Sequence, residues 1–178
     1  MVGQLRCLAA LAEWEEIQTI FEAGNRASVD WDEYRNDVTT IAAKAAWHLG
    51  DWDQMEKCTD QLERDLHLRG RLPNADRVDA SGKYKSSVVN STDCDFYKAI
   101  LAIRRGSQDE ARVHLAAARE VLGTELAALV GESYDRSYNA LIRAQQLAEL
   151  DEVIEYSQLA SIASAAASRR QETIRKMW

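Results

Sequence analysis

AAKAAWHLGDWDQM, residues 42–55, changes character once. Ala42, Ala43, Ala45, Ala46 and Leu49 are strong helix formers, Gly50 interrupts them, and Trp52 and Met55 restart an apolar pattern behind Asp51 and Asp53. A helix that stops at a small residue and resumes two residues later reads as a tight helix–turn–helix hairpin.

The same punctuation recurs. Ala12-Glu13-Trp14-Glu15-Glu16-Ile17 and Gly50-Asp51-Trp52-Asp53-Gln54-Met55 share an order of small residue, spacer, large residue, acids and aliphatic. Gly106-Ser107-Gln108-Asp109-Glu110-Ala111 keeps the frame with Gln108 in the large position, and Ala148-Glu149-Leu150-Asp151-Glu152-Val153 restores it. On this reading the small residue sits where two helix backbones approach, and the acids lie in the next helix's first turn, facing its positive end. Leu8 with Leu11, Ala46 with Leu49 and Ala144 with Leu147 would be matching core positions one turn earlier; Ala102 fits this pattern and Arg105 does not. The copies begin at 12, 50, 106 and 148, spacings of 38, 56 and 42. Two of these fall near the roughly 34–47 residue periods of helical-pair repeats. The frame resembles that of tetratricopeptide repeats. The predicted fold is all-α, an α-α solenoid of about four TPR- or HEAT-like helical pairs, with a helical bundle of coincident turns as the alternative. Trp14, Gly50, Trp52, Gly106 and Leu150 are the predicted repeat-turn residues.

Composition sets outer limits. A chain of 178 residues, 46% hydrophobic and 29% charged, is ordinary for one globular domain. One proline and eight glycines suit long helices. A net charge of −7 argues against nucleic-acid binding, which needs a basic face. No apolar run approaches the ~18 residues of a membrane span, and no secretory signal is legible. Cys7, Cys58 and Cys94, odd in number and far apart, suit free thiols in a reducing compartment.

Along the chain, residues 1–68 are expected to hold the first two repeats. Helices are predicted over 5–12, Trp14 to Glu22, a span ending at Leu49, and Trp52 to about Leu66. Asp30 and Glu33 have capping-box spacing. Residues 69–94 then lose helical periodicity. With the only proline, two glycines and dispersed Arg69, Arg71, Arg77, Lys83 and Lys85, they read as an inserted polar loop. Residues 95–167 would hold repeats three and four: Phe96 to Arg105, Gln108 to Leu122 with a break at Gly123, Glu125 to Leu147, and Leu150 to about Ala166. An apolar stripe through Leu126, Leu129, Val130, Tyr134, Tyr138, Leu141, Ile142 and Leu147 supports the third of these. Residues 168–178 open a further helix. Solenoids need polar terminal caps, and none is legible at either end, so the expectation is a piece of a longer solenoid.

Site chemistry is absent from the reading. His48, His67 and His114 never pair at i,i+4 with one another or with a cysteine, so no metal site is expected. The acid pairs Glu15-Glu16, Asp109-Glu110 and Asp151-Glu152 are explained by first-turn positions. Ser133 in Gly131-Glu132-Ser133-Tyr134-Asp135 lacks the second glycine of a nucleophile elbow. No Gly-rich phosphate loop or kinase catalytic loop occurs. No catalytic, cofactor-binding or metal residue and no cofactor is predicted.

Three stretches carry a family resemblance. LRCLAALAEWEE (5–16), AAKAAWHLGDWDQMEKCT (42–59) and ELAALVGESYDRSYNALIRAQQLAELDEVIEY (125–156) resemble the front part of the FAT region of target-of-rapamycin kinases, the phosphatidylinositol-kinase-related protein kinases. RRQETIRKMW (169–178) is similar to the family's next segment. The loop before Cys94 departs from the family's shorter connection. The resemblance implies a non-catalytic scaffold within a helical-repeat clamp around a serine/threonine kinase domain far downstream. The parent would be a cytoplasmic kinase, brought to endomembrane surfaces by complex partners, coupling nutrient signals to growth. The partners implied are proteins: the rest of the parent chain and subunits of its complex, with neither nucleic acid nor membrane insertion. A free-standing tetratricopeptide-like adaptor is the alternative.

Overall fold

The computed structural model describes residues 2–26, 34–70, 87–129, 134–160, 162 and 164–177. Among them are eight α-helices and no strand: α1 (Val2–Leu11), α2 (Trp14–Arg26), α3 (Arg35–Leu49), α4 (Trp52–Gly70), α5 (Ser87–Arg105), α6 (Gln108–Leu129), α7 (Tyr134–Ala160) and α8 (Ala165–Met177). The chain divides into two compact units, Met1–Lys98 and Ala99–Trp178.

In the first unit each helix packs on its sequence neighbour, α1 on α2, α2 on α3 and α3 on α4, and α1 also reaches α3. Helix α3 therefore meets three partners, and its side chains show why it can. Ala42, Ala43, Ala45 and Ala46 are all buried. Small side chains on several faces let neighbouring axes close to the ~8–10 Å of packed helices. Around this slab stand Leu5 from α1, Ile17 and Phe21 from α2, and Met55, Cys58 and Leu62 from α4, the last three at helical spacing. Buried Thr39 and Thr59 satisfy their hydroxyls by donating to the carbonyls of Arg35 (2.8 Å) and Met55 (2.7 Å) one turn back.

The first part of α5 closes this unit. Phe96 and Tyr97 are buried and meet Trp47 edge-on at centroid distances of 5.4 and 6.4 Å. Aromatic pairs in this geometry add to the area they bury. Lys98 pairs with Glu63 of α4.

The second unit repeats the neighbour-to-neighbour rule, with α6 on α7 and α7 on α8. Ala111, Leu115, Ala118 and Leu122 of α6 alternate by four and three residues. They face Ala140, Leu147 and Ile154 of α7, each seven apart, and Ala167 and Ile174 of α8 follow the same period. The fold is all-α, with the sequential helix packing of an α-solenoid in each unit.

Several predicted boundaries are corrected. Helix α5 begins at Ser87, inside the segment read as a polar loop, and Thr92, Asp93 and Cys94 are buried. Tertiary contacts override the weak helix propensity of Ser, Thr and Asp there; Cys94, for example, lies 3.9 Å from the Thr59 carbonyl. Helix α4 likewise continues to Gly70. Positions 71–86, and the capping pair Asp30 and Glu33, lie outside the described residues. Helix α6 passes through Gly123 without a break, and α7 is one helix through residues 147–150, where a turn was expected. The apolar stripe read along this stretch is partly solvent-facing: Tyr138, Leu141 and Ile142 are exposed.

Candidate functional site

Among the described residues, the device that recurs is the helix turn. Ala12, Gly50 and Gly106 have φ of 60°, 71° and 78°. This left-handed backbone reverses a helix in one residue. Each is locked by the same two hydrogen bonds. Its own N–H donates to the carbonyl three residues back: Ala12 to Ala9 (3.4 Å), Gly50 to Trp47 (3.2 Å) and Gly106 to Ile103 (3.0 Å). The next N–H donates five back: Glu13 to Leu8 (3.0 Å), Asp51 to Ala46 (2.9 Å) and Ser107 to Ala102 (2.9 Å). These are three Schellman motifs, and they satisfy carbonyls that a helix end otherwise orphans.

The second turn residue is already the cap of the next helix. The carbonyls of Glu13, Asp51 and Ser107 accept from the N–H groups of Ile17 (3.2 Å), Met55 (3.0 Å) and Ala111 (3.0 Å). Asp51 does more. Its Oδ1 accepts from the Gln54 N–H (3.1 Å), a side-chain N-cap. Its Oδ2 accepts from Gln18 Nε2 of α2 (2.8 Å), tying the second turn to the neighbouring hairpin.

This geometry revises why small residues stand here. A Cβ added at Gly50 would meet only Trp52 Nε1, at 3.9 Å, and one at Gly106 would meet nothing within 4 Å. The requirement is the positive φ, not a close approach of two backbones. The large residue of the frame is also less central than expected. Trp14 and Trp52 are only half-buried. The anchors are the last residues of the frame, Ile17, Met55 and Ala111, all fully buried. The position just before the turn faces solvent, with Leu11 71% and Leu49 40% exposed, so Arg105 there is no departure.

Leu150 is where the frame fails. It lies inside α7, and Leu147, the counterpart of exposed Leu11 and Leu49, is fully buried. Arg119 of α6 holds this stretch, donating to the Leu147 carbonyl (3.2 Å) and pairing with Asp151 (2.7 Å). The turn before α8 carries its own cap: Ser164 Oγ accepts from the Ala167 N–H at 3.1 Å. A serine ahead of an alanine run is a legible start signal that the six-residue frame passed over.

Trp14 has a second role. Its ring stacks on His48 of α3 at 4.3 Å and 7°, and Lys44 Nζ stands 5.4 Å from its centroid. Burial of the ring face, with the Lys44 charge, holds the His48 pKa below its usual value. Burial pushes the Cys58 and Cys94 thiols up to about 12, so both stay protonated and act as small hydrophobes. Among the described residues no group of three or more His, Cys, Asp or Glu is placed to hold a metal ion. No described helix is long and apolar enough to cross a membrane.

A family model described as FAT domain matches residues 39–178. Serine/threonine-protein kinase TOR of Arabidopsis thaliana is 41% identical over 99% of this chain, and that of Oryza sativa subsp. japonica 39% over 99%. TOR2 of Saccharomyces cerevisiae is 35% identical over 100%. The chain spans 7% of the length of the two plant relatives and 6% of the yeast one.

Proposed function

The chain belongs to the FAT domain family, and from that membership we propose that it is a non-catalytic helical scaffold segment of a target-of-rapamycin-like serine/threonine kinase. In this reading it supports and regulates a kinase domain elsewhere in the parent chain, and offers surface to that chain and to complex subunits, in cytoplasmic nutrient and growth signalling. The observation that carries the reading is the alignment: 99% of this chain corresponds to only 7% of a TOR kinase. That proportion favours a part of a large kinase over a free-standing adaptor. The local chemistry agrees with it. Asp51 and Asp151, two of the acids in the repeated frame, are engaged in helix-to-helix bridges with Gln18 and Arg119.

Sequential packing would give such a scaffold a way to act at a distance, because in a solenoid each repeat takes its orientation from its neighbours. Loosening one turn should therefore alter the parent kinase without touching its active site. The test compares phosphorylation rates of the full-length kinase at matched protein level for wild type, Met55→Ala and the surface control Lys57→Ala. The expected outcome is altered activity for Met55→Ala alone. Activity equal to wild type in Met55→Ala, with local unfolding confirmed by proteolysis, would leave a passive spacer and sink the regulatory reading.

A further inference from the structure

Ser107 differs from its counterparts in the other two turns. The residue after the left-handed position is Glu13 in the first turn, Asp51 in the second and Ser107 in the third. All three cap the next helix with a backbone carbonyl, and Asp51 adds a side-chain cap, its Oδ1 accepting from the Gln54 N–H at 3.1 Å. The Ser107 hydroxyl has no hydrogen-bond partner among the described residues. Glu110 is the counterpart of Gln54, three residues on, in the first turn of α6, where a helix leaves N–H donors unsatisfied. An open polar recess of about 490 Å³, lined by Ser107, Gln108, Asp109, Glu110 and Gln158, lies at this turn.

What precedes Ser107 is equally specific. Arg104 and Arg105, exposed in the last turn of α5, stand three and two residues before it. Guanidinium groups at these two positions are the charge pattern that arginine-directed serine kinases read, pairing each with acidic side chains of their own. Ser107 is the only serine or threonine among the 178 residues with arginine at both.

We propose that Ser107 is a phosphorylation site for an ATP-dependent, arginine-directed serine kinase, and that its phosphate caps α6 as Asp51 caps α4. Ser107 Oγ attacks the γ-phosphorus of ATP. The new O–P bond forms, the bond from that phosphorus to the ADP oxygen breaks, and the hydroxyl proton passes to the modifying kinase's catalytic carboxylate. The phosphoserine then holds a charge of about −1.5 to −2 and three acceptor oxygens at a helix N-terminus, within reach of the Glu110 N–H. Asp109 and Glu110 do not forbid that charge. The first turn already carries Glu13 with Glu15 and Glu16, the same three frame positions as Ser107, Asp109 and Glu110. Modification thus gives the third turn the negative charge that the other two have in their sequence. Access requires residues 104–107 to extend into the modifying enzyme. They are held by donation from the Gly106 N–H to Ile103 (3.0 Å) and from the Ser107 N–H to Ala102 (2.9 Å), at an exposed helix end, where opening costs least. The proposal needs neither the family membership nor a regulatory role of the scaffold.

The test treats the folded full-length protein with ATP and the catalytic subunit of cyclic-AMP-dependent protein kinase, an arginine-directed enzyme, and maps phosphate by mass spectrometry. A reaction without added enzyme gives the baseline. The expected result is phosphate on Ser107 above that baseline, its loss at this position in Ser107→Ala, and its loss in the double variant Arg104→Gln with Arg105→Gln, which keeps Ser107. Hydrogen exchange then reads the cap: amides of residues 108–111 should exchange more slowly in the phosphorylated protein than in the unmodified one, with Ser107→Asp in between. No phosphate on Ser107, or an equal amount without added enzyme, would overturn the proposal. So would equal modification of the double variant, which would remove the arginines from recognition. Phosphate on Ser107 with unchanged or faster exchange over 108–111 would overturn the cap. Activity of the parent kinase is not the readout, so this result and the scaffold test stand or fall separately.

Discussion

Ala12 is the only described non-glycine residue with a positive φ, at 60°, and it occupies the position that Gly50 and Gly106 fill in the other two turns. An L-residue in this conformation costs roughly 1–2 kcal/mol that glycine does not. Ala12→Gly is therefore expected to stabilise the first hairpin by about 1 kcal/mol in denaturant unfolding, and Gly50→Ala to destabilise the second by about 1–2 kcal/mol. Space does not decide the second case, since the added Cβ makes only an ordinary contact at 3.9 Å. Equal midpoints for Gly50→Ala and wild type would mean that the dihedral is not what selects glycine. His48 gives a pH signature at the same scale. Its folded pKa lies below the ordinary 6.5, so between those two values the unfolded chain binds more protons. Its contribution to stability is complete above 6.5 and falls as pH drops through the window towards the folded pKa. His48→Gln should flatten the pH dependence of the melting temperature below pH 6.5. A slope unchanged in that variant would assign the effect to other groups.

At the scale of elements, glycine reverses its sign. Gly123 lies within α6, exposed, with nothing within 4 Å of an added Cβ. Gly123→Ala should stabilise by about 0.8–1 kcal/mol, the helix-interior difference between the two residues. A loss instead would show a real break there. The core of α7 offers a similar contrast. Leu147→Ala should cost about 2–5 kcal/mol because it empties a fully buried site. Leu11→Ala, at a 71% exposed position, should stay within about 0.5 kcal/mol. Equal costs would restore the fourth copy of the frame. These contrasts also mark what could be read from sequence. The breaks at 12, 50 and 106 were legible because each follows a helical apolar pattern and precedes a fresh run of acids. The apparent break at 148 was not a break, because a frame of residue types carries no record of whether the leucine before it faces core or solvent. The start of α5 was illegible for a related reason. Ser87 to Cys94 has weak intrinsic propensity, and its helix is supported by contacts with residues such as Thr59, 35 positions before Cys94.

Over the whole molecule, what the sequence declared was the kind of architecture: helices, short reversals and neighbour-on-neighbour packing. What it withheld was the phase of each helix, meaning which side of a stripe is inside. Tyr138, Leu141 and Ile142 look like core by periodicity, yet Ser137 and Ala140 take that place. Phase matters here because the turns at 12–13, 50–51 and 106–107 contain just two residues between one helix and the next. They have no slack with which to absorb a length change. One residue added inside α3 would rotate everything after it by about 100° and advance it by about 1.5 Å. Met55 would then leave its pocket, and the Asp51 bridge to Gln18 would be lost. Point substitutions on the outer faces of these helices are cheap by comparison. In an alignment of relatives, the outer faces of the hairpins around these turns should thus vary in letters while the hairpins stay fixed in number, and gaps should accumulate outside them. The reading frame of the hairpins, more than any single side chain, is what descent has to preserve.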